Sequence, residues 1–410
     1  MKNILTILTI LCFSALASAQ PDSLATYLTM SLEDLLKVKV KVSSTKSETV
    51  FNTPSTVSFI DREMLEKYNF LSVAEMLRIA VGMDIYQTNL DDNVPTARGV
   101  LQNYYANKVL VLIENIPTYQ PIYGNTNLDR LEVNDIERIE VLKGPASVLY
   151  GSNAYLGVVN IILRKNSNSN GNVRLGSGYH RYGSTGANVS INKNKFNLFI
   201  SGNTGFEIQK PYELLGKRQD LYKGDTIISN NDTIIHIGDS IMFFEKEMKS
   251  TNLNLLAHYN SFTFILNHFE YQHSHLGINP SFISGAGKPM TDGGTLAALK
   301  YNYDLSDRVN LKIDFAYDYY KRLWSSNSDG SNALFLSGNR LFTNIRLNHV
   351  LSDKFSIEVG LDAERRMRGK HVAIDVLKDT VMRSNLKNEQ NIDEPSAFAQ
   401  LNWKTKYLNI

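Results

Sequence analysis

Three imidazoles gather at His268, His273 and His275, in the segment NHFEYQHSHLG. In an extended chain His273 and His275 share one face, and neutral imidazole nitrogens are good ligands for a metal ion or a haem iron. The segment lies where an alternating strand pattern gives way to a long polar stretch, so polar rim residues of a sheet are the other reading of the same pair. A metal site also needs groups that orient the rings, and the sequence does not reveal them. Glu137 and Glu140 are acid–base groups by type, yet Arg138 and Lys143 interleave with them, which describes an ion-paired strand face. No HExxH, GxSxG, P-loop or CxxC pattern occurs. GSGYH near Gly176 lacks the strand-to-helix setting of a phosphate loop. Nothing here points to an enzyme.

The elements that must carry these residues begin with a targeting segment. Lys2, the apolar run from Ile4 to Leu16 and Ala17-Ser18-Ala19 read as a secretory signal over residues 1–19. The run falls short of the roughly 20 apolar residues that a membrane-spanning helix needs. Cys12, the only cysteine, lies inside it, so thiolate metal sites and disulfides drop out of the mature chain. With 43 basic and 41 acidic residues the net charge is +2; no basic field favours nucleic acid as a partner.

Residues 20–47 form a polar leader. Within it Lys37, Val38, Lys39, Val40, Lys41, Val42 and Ser43 alternate strictly. Such a segment suits addition to another protein's sheet edge, or simply a solvated linker. Residues 48–165 read as a compact α+β unit. Asp61 and the pair Ser72 with Glu75 mark two helix starts, the second ahead of a stripe at Val73, Met76, Leu77 and Ala80 that ends at Gly82. The stretch from Asp135 to Lys165 holds a half-wet strand, a stop at Gly144 and Pro145, and a second break at Tyr150, Gly151 and Ser152. Gly157 then allows close backbone approach before an apolar strand that contains Asn160.

After the polar linker NSNSN, from residue 171 to 410, the period becomes two. Val309, Leu311, Ile313, Phe315, Tyr317 and Tyr319 alternate with Asn310, Lys312, Asp314, Ala316 and Asp318; Phe355 to Glu364 repeats the pattern. These lengths approach the 9 to 11 residues with which a tilted strand crosses a bilayer. Short turns near Asn192–Asn194, Asn260, Leu305–Asp307 and Ser352 alternate with long polar stretches near 205–247, 272–293, 321–338 and 367–393. That asymmetry fits a barrel in membrane lipid, with the long loops outside the cell.

In order and spacing, the stretch from Asp135 to Lys165 resembles the end of the plug domain of TonB-dependent outer-membrane receptors of Gram-negative bacteria. PTARGV, with Arg98 and Gly99, is similar to that family's Arg-Gly element, and KVLVLIENIP to its hydrophobic hairpin. Glu114-Asn115 departs from the family's commoner Asp-Gly, and Tyr155-Leu156 replaces smaller residues. The resemblance implies an α+β plug domain followed by antiparallel transmembrane β-barrel strands. It also implies energised uptake of a scarce nutrient, first an iron siderophore, then haem, cobalamin or an oligosaccharide, without a resident cofactor. A passive structural, adhesive or signalling outer-membrane protein is the alternative.

The expected partners are a TonB-type periplasmic energy transducer, outer membrane lipid and a small-molecule nutrient ligand, with Lys37 to Ser43 as the docking segment. Arg98, Gly99, Gly144, Pro145, Tyr150, Gly151, Gly157 and Asn160 are the implied plug-shaping positions. About ten or eleven strands can be counted, half of the 22 in large outer-membrane transporters. The barrel is therefore expected to be incomplete, because open strand edges in hydrocarbon leave costly unpaired backbone, and the sequence to be a fragment or truncated product.

Overall fold

The structure is a computed structural model that describes residues 56–68, 70–88, 92–100, 107–144, 146–165, 170–179, 181–208, 247–274, 289–325, 332–352, 354–375 and 390–403, with the paths of a few short strands outside these ranges. Two of those, β1 (Lys39–Val40) and β2 (Glu48–Thr49), form a minimal antiparallel ladder. The rest of the Lys37 to Ser43 segment lies outside the described residues.

The plug follows. It contains β3 (Thr56–Ile60), α1 (Arg62–Tyr68), α2 (Val73–Arg78), β4 (Met83–Gln87), β5 (Asn93–Ala97), β6 (Val109–Ile113), β7 (Ile116–Thr118), β8 (Ile136–Lys143), α3 (Ser147–Tyr150) and β9 (Gly157–Leu163). Asp61 Oδ1 accepts the Met64 N–H at 2.9 Å and Ser72 Oγ accepts the Glu75 N–H at 3.2 Å, so both helices start on side-chain caps. Glu75 reaches back to the Leu71 N–H, one residue earlier than a standard capping box. The main sheet runs β3-β8-β9-β6-β7. Its β6–β9 pair is parallel, which places the Asp135–Lys165 stretch against the earlier hydrophobic hairpin. Both strands are buried along their whole length, as strands covered on two faces must be.

The wall is built from β10 (Asn170–Gly178), β11 (Tyr182–Lys193) and β12 (Phe196–Ile208), and it resumes with β17 (Glu247–Tyr259) after two separate ladders, β13 (Tyr212–Lys217) with β16 (Asp239–Phe244) and β14 (Thr226–Ser229) with β15 (Asp232–Ile235). Next come β18 (Phe262–Ser274), β19 (Pro289–Ser306), β20 (Val309–Ser325), β21 (Asn332–Ser352), β22 (Phe355–Asp375), β23 (Thr380–Ser384) and β24 (Gln390–Trp403). Together they form one eleven-stranded antiparallel sheet in which β23 and β24 both pair β22. Its outermost strands, β10 and β24, do not pair with each other, so the barrel is partial among the described residues.

The polarity of this sheet is inverted relative to a water-soluble one. On β20, Phe315 and Tyr317 are exposed while Ala316, Asp318 and Tyr320 are buried. Val173, Leu175, Ile200, Leu253, Leu299, Leu347, Leu361 and Leu401 extend the exposed apolar belt around the other strands. Asn194 and Asn260 turn their short hairpins with φ of 54° and 52°, a conformation asparagine tolerates. At the opposite end the polar stretches expected as loops are shorter. The ladder runs on to Ser325, restarts at Asn332 and reaches Asp375, giving two strands of 21 residues. The loss of apolar alternation marks the edge of the greasy belt, whereas backbone pairing continues past it.

The plug packs inside the curve of this wall. One apolar cluster joins plug residues such as Val73, Leu77, Leu128 and Val133 to wall residues Phe199, Leu256, Ile265, Leu296 and Ala316.

Candidate functional site

Within the plug, the predicted turn positions take up special geometry. Arg98 and Gly99 stand at φ of 56° and 70°, and Arg98 Nη2 donates to the Lys143 carbonyl at 3.3 Å. Gly144 and Gly151 are also at positive φ. A Cβ at Gly157 would lie 2.5 Å from the Leu142 carbonyl oxygen, so only glycine fits there without backbone movement. Glu114 and Asn115 both occupy the left-handed region, which turns β6 into β7 without a glycine. Fully buried Asn160 locks that turn: its Oδ1 accepts the Asn115 N–H at 3.0 Å and its Nδ2 donates to Asn115 Oδ1 and Glu140 Oε2. Glu140 is itself buried and receives Arg138 at 2.8 Å, so it is a core ion pair and not part of a wet strand face. Tyr150, pushed above its usual range by burial, ends α3. Pro145 lies outside the described residues.

The plug meets the wall through buried polar contacts on alternate strand positions. Arg130 donates to both oxygens of Asp318 on β20, at 2.7 and 3.1 Å, and its guanidinium lies 5.0 Å from the Phe269 ring centroid. Arg340 on β21 donates to the Pro117 carbonyl, pairs with Glu364 on β22 at 3.1 Å and stacks 4.4 Å over the Tyr119 ring, whose hydroxyl donates to the same Glu364. On the other side Asp135 Oδ2 accepts from Ser201, Asn203 and Asn254 at 2.6 to 2.7 Å. Burial nonetheless raises the Asp135 carboxyl, and burial followed by the neighbouring Asp135 pushes Glu132 up to about 7 against the pull of Arg174.

Of the three histidines, His268 and His273 lie on opposite faces of β18. His268 faces outward and contacts Thr295 Oγ1 at 2.8 Å, and His275 lies outside the described residues. His273, an odd number of positions from His268, faces inward and is 1% exposed, so it is not a rim residue. Its ring stacks on Tyr271, and its nearest potential co-ligands are Asp92 of the plug and Asp292 of β19, with ligand atoms within 4.8 Å of one another. Those carboxylates are already bridged: Arg322 donates to Asp92 at 2.6 and 2.9 Å and to Asp292 at 2.6 and 2.7 Å. The guanidinium fills the place where a cation would sit. Sequence reasoning missed Asp92, Asp292 and Arg322: Asp292 and Arg322 fall in the polar stretches 272–293 and 321–338 expected as loops, and Asp92 lies between β4 and β5 of the plug.

Between plug and wall lies a cavity of about 730 Å³. It reaches from Asn302 and Asn310, near the short turns, to Tyr119 and Glu364, with Lys300 and Arg346 on its wall side.

Comparison with known proteins decides what the inner unit is. Residues 49–158 match the family model described as TonB-dependent Receptor Plug Domain. These residues are a TonB-dependent receptor plug domain. Over 200 residues, 47% of this chain and 28% of the other, the chain is 32% identical to the iron-regulated outer membrane virulence protein of Vibrio cholerae. It is 29% identical over 125 residues to the vitamin B12 transporter BtuB of Vibrio vulnificus, which is 30% of this chain and 20% of that one. In fold it is similar to the ferric enterobactin receptor PfeA of Pseudomonas aeruginosa, with a TM-score of 0.60 and 12% identity over 87% of this chain and 56% of that one. The siderophore receptor PiuA of Acinetobacter baumannii gives a TM-score of 0.58 and 13% identity over 91% and 58%. The chain spans 28% of the Vibrio cholerae relative and a little over half of the two receptor structures. The plug domain together with its antiparallel strand wall therefore has the receptor fold.

Proposed function

We propose that this protein is a receptor of the cell outer membrane that takes up a scarce nutrient, an iron siderophore in the first place. The observation that carries the reading is the wall's inverted polarity, apolar outward and charged inward, around a TonB-dependent receptor plug domain. A sheet that faces lipid on one side and a stopper on the other has a use if the stopper moves. The iron-regulated and B12-transporting relatives support a small-molecule cargo. Movement requires work, since several buried ion pairs must open. A TonB-type periplasmic partner would supply it through the Lys37 to Ser43 segment, whose extended Lys39–Val40 already forms ladder bonds.

Uptake of radioiron carried by a siderophore, in cells producing this chain, tests the proposal. Transport should fall to background when the proton gradient is collapsed and when Lys37 to Ser43 is deleted. Transport that survives both treatments would instead identify a passive outer-membrane protein.

A further inference from the structure

We propose that Arg368, with Tyr123 and His371, forms a subsite for a carboxylate-bearing small molecule on the inner face of the wall. The inner face of β21 and β22 carries a ladder of charges in register: Arg340 opposite Arg366, Gly338 opposite Arg368, and Leu336 opposite His371. A Cβ on Gly338 would point at Pro121 of the plug, 3.1 Å away. Paired residues of an antiparallel ladder share a face, so Arg368 is directed at the same plug loop. Next to it Gly369 and Lys370 oppose the single residue Ser337, a bulge in β22. Without that extra residue His371 would face outward; with it, His371 turns inward and its Nδ1 meets the Tyr123 hydroxyl at 3.1 Å.

The charges around this point are unequal. Glu364 is held by Arg340 and lies 3.4 Å from Arg366, Glu394 takes Arg366 at 2.6 Å, and Asp318 is committed to Arg130. Arg368 has no acidic partner among the described residues, and its Nε is buried without a hydrogen bond. A half-buried guanidinium that meets no carboxylate among the described residues is costly, and a planar carboxylate matches its fork of donors. The phenol of Tyr123 and the ring of His371, hydrogen-bonded to each other, lie at the next inward position of the same ladder. The site sits four residues from the end of β22 at Asp375, on the side of the long excursions. The inference rests on the uptake reading only in taking the bound molecule to be cargo.

Calorimetric titration of the full chain in detergent micelles with citrate, and with glucose as an uncharged control, tests it. Citrate should bind and glucose should not. Arg368→Gln should weaken citrate at least ten-fold and Arg368→Lys less, while Arg365→Gln, at the exposed outward pair with Asp393, should change nothing. Equal weakening by Arg365→Gln, unchanged binding in Arg368→Gln, or no citrate binding by the parent chain would overturn the assignment. Because the measurement needs no energised membrane, failed uptake with intact citrate binding would count against the transport reading alone.

Discussion

Arg130 and Asp318, 188 residues apart in sequence, meet through two parallel hydrogen bonds of 2.7 and 3.1 Å, with side chains 4% and 1% exposed. Removing one partner leaves a buried charge alone, which costs about 3 kcal/mol or more. Arg340, 3.7 Å from Asp318, offsets part of that. Arg130→Ala is expected to lower stability by about 3 kcal/mol in denaturant titration and to speed protease cleavage within the plug. Arg130→Ala with Asp318→Asn should recover part of the loss.

Glu132 gives the plug a pH dependence of defined sign. Its carboxyl is raised from an ordinary 4.5 to about 7 by burial and by Asp135, so between these values the folded protein holds a proton that the unfolded chain releases. Stability is then full below about pH 4.5 and falls as pH rises through 7. For this half-buried group the loss is about 2 to 3 kcal/mol, and the raised Asp135 acts in the same direction. Denaturation midpoints across pH 5 to 8 should fall in the parent chain and fall less in Glu132→Gln.

Arg322 occupies the place of a cation between Asp92 and Asp292. Zinc is therefore expected to leave the melting temperature of the parent chain unchanged. Arg322→Ala would free both carboxylates beside His273, three groups of the kind that bind zinc. The variant should melt lower in the absence of metal and recover by several degrees with added zinc, a gain lost again in Arg322→Ala, His273→Ala.

The outward face of the wall is expected to lie in lipid. Leu361, 58% exposed at the centre of the belt on β22, would then tolerate an apolar replacement and reject a charge. Leu361→Arg should cost about 2 to 4 kcal/mol on refolding into liposomes, whereas Leu361→Val should be nearly neutral. Equal effects of the two would argue against bilayer contact.

Local features of this fold were readable where one residue type answers one backbone need. Asp61 and Ser72 cap helices, Asn194 and Asn260 turn hairpins, and Asn115 takes left-handed geometry in place of glycine. The period-two pattern on β20 gave the correct inward set, Asp318 among it. It could not give partners: which residue Arg130 or Arg322 meets depends on strand tilt and register across the wall. The parallel β6–β9 pairing was hidden for the same reason, since two apolar runs look alike whichever way they pair. His273 misled because its strand continues inward past the point where apolar alternation fades. Arg368 was invisible, because a one-residue bulge decides which neighbours share its face.

The contacts that seat the plug fall into two groups: Arg322 with Asp92, and a linked set in which Arg340 lies 3.7 Å from Asp318 and 3.1 Å from Glu364. A steady pull on the N-terminal side would meet these two groups as successive catches rather than as a single one. Seating of this kind resists thermal jostling yet yields to a modest directed force, much as a zip fastener is firm across its width and easy along its length.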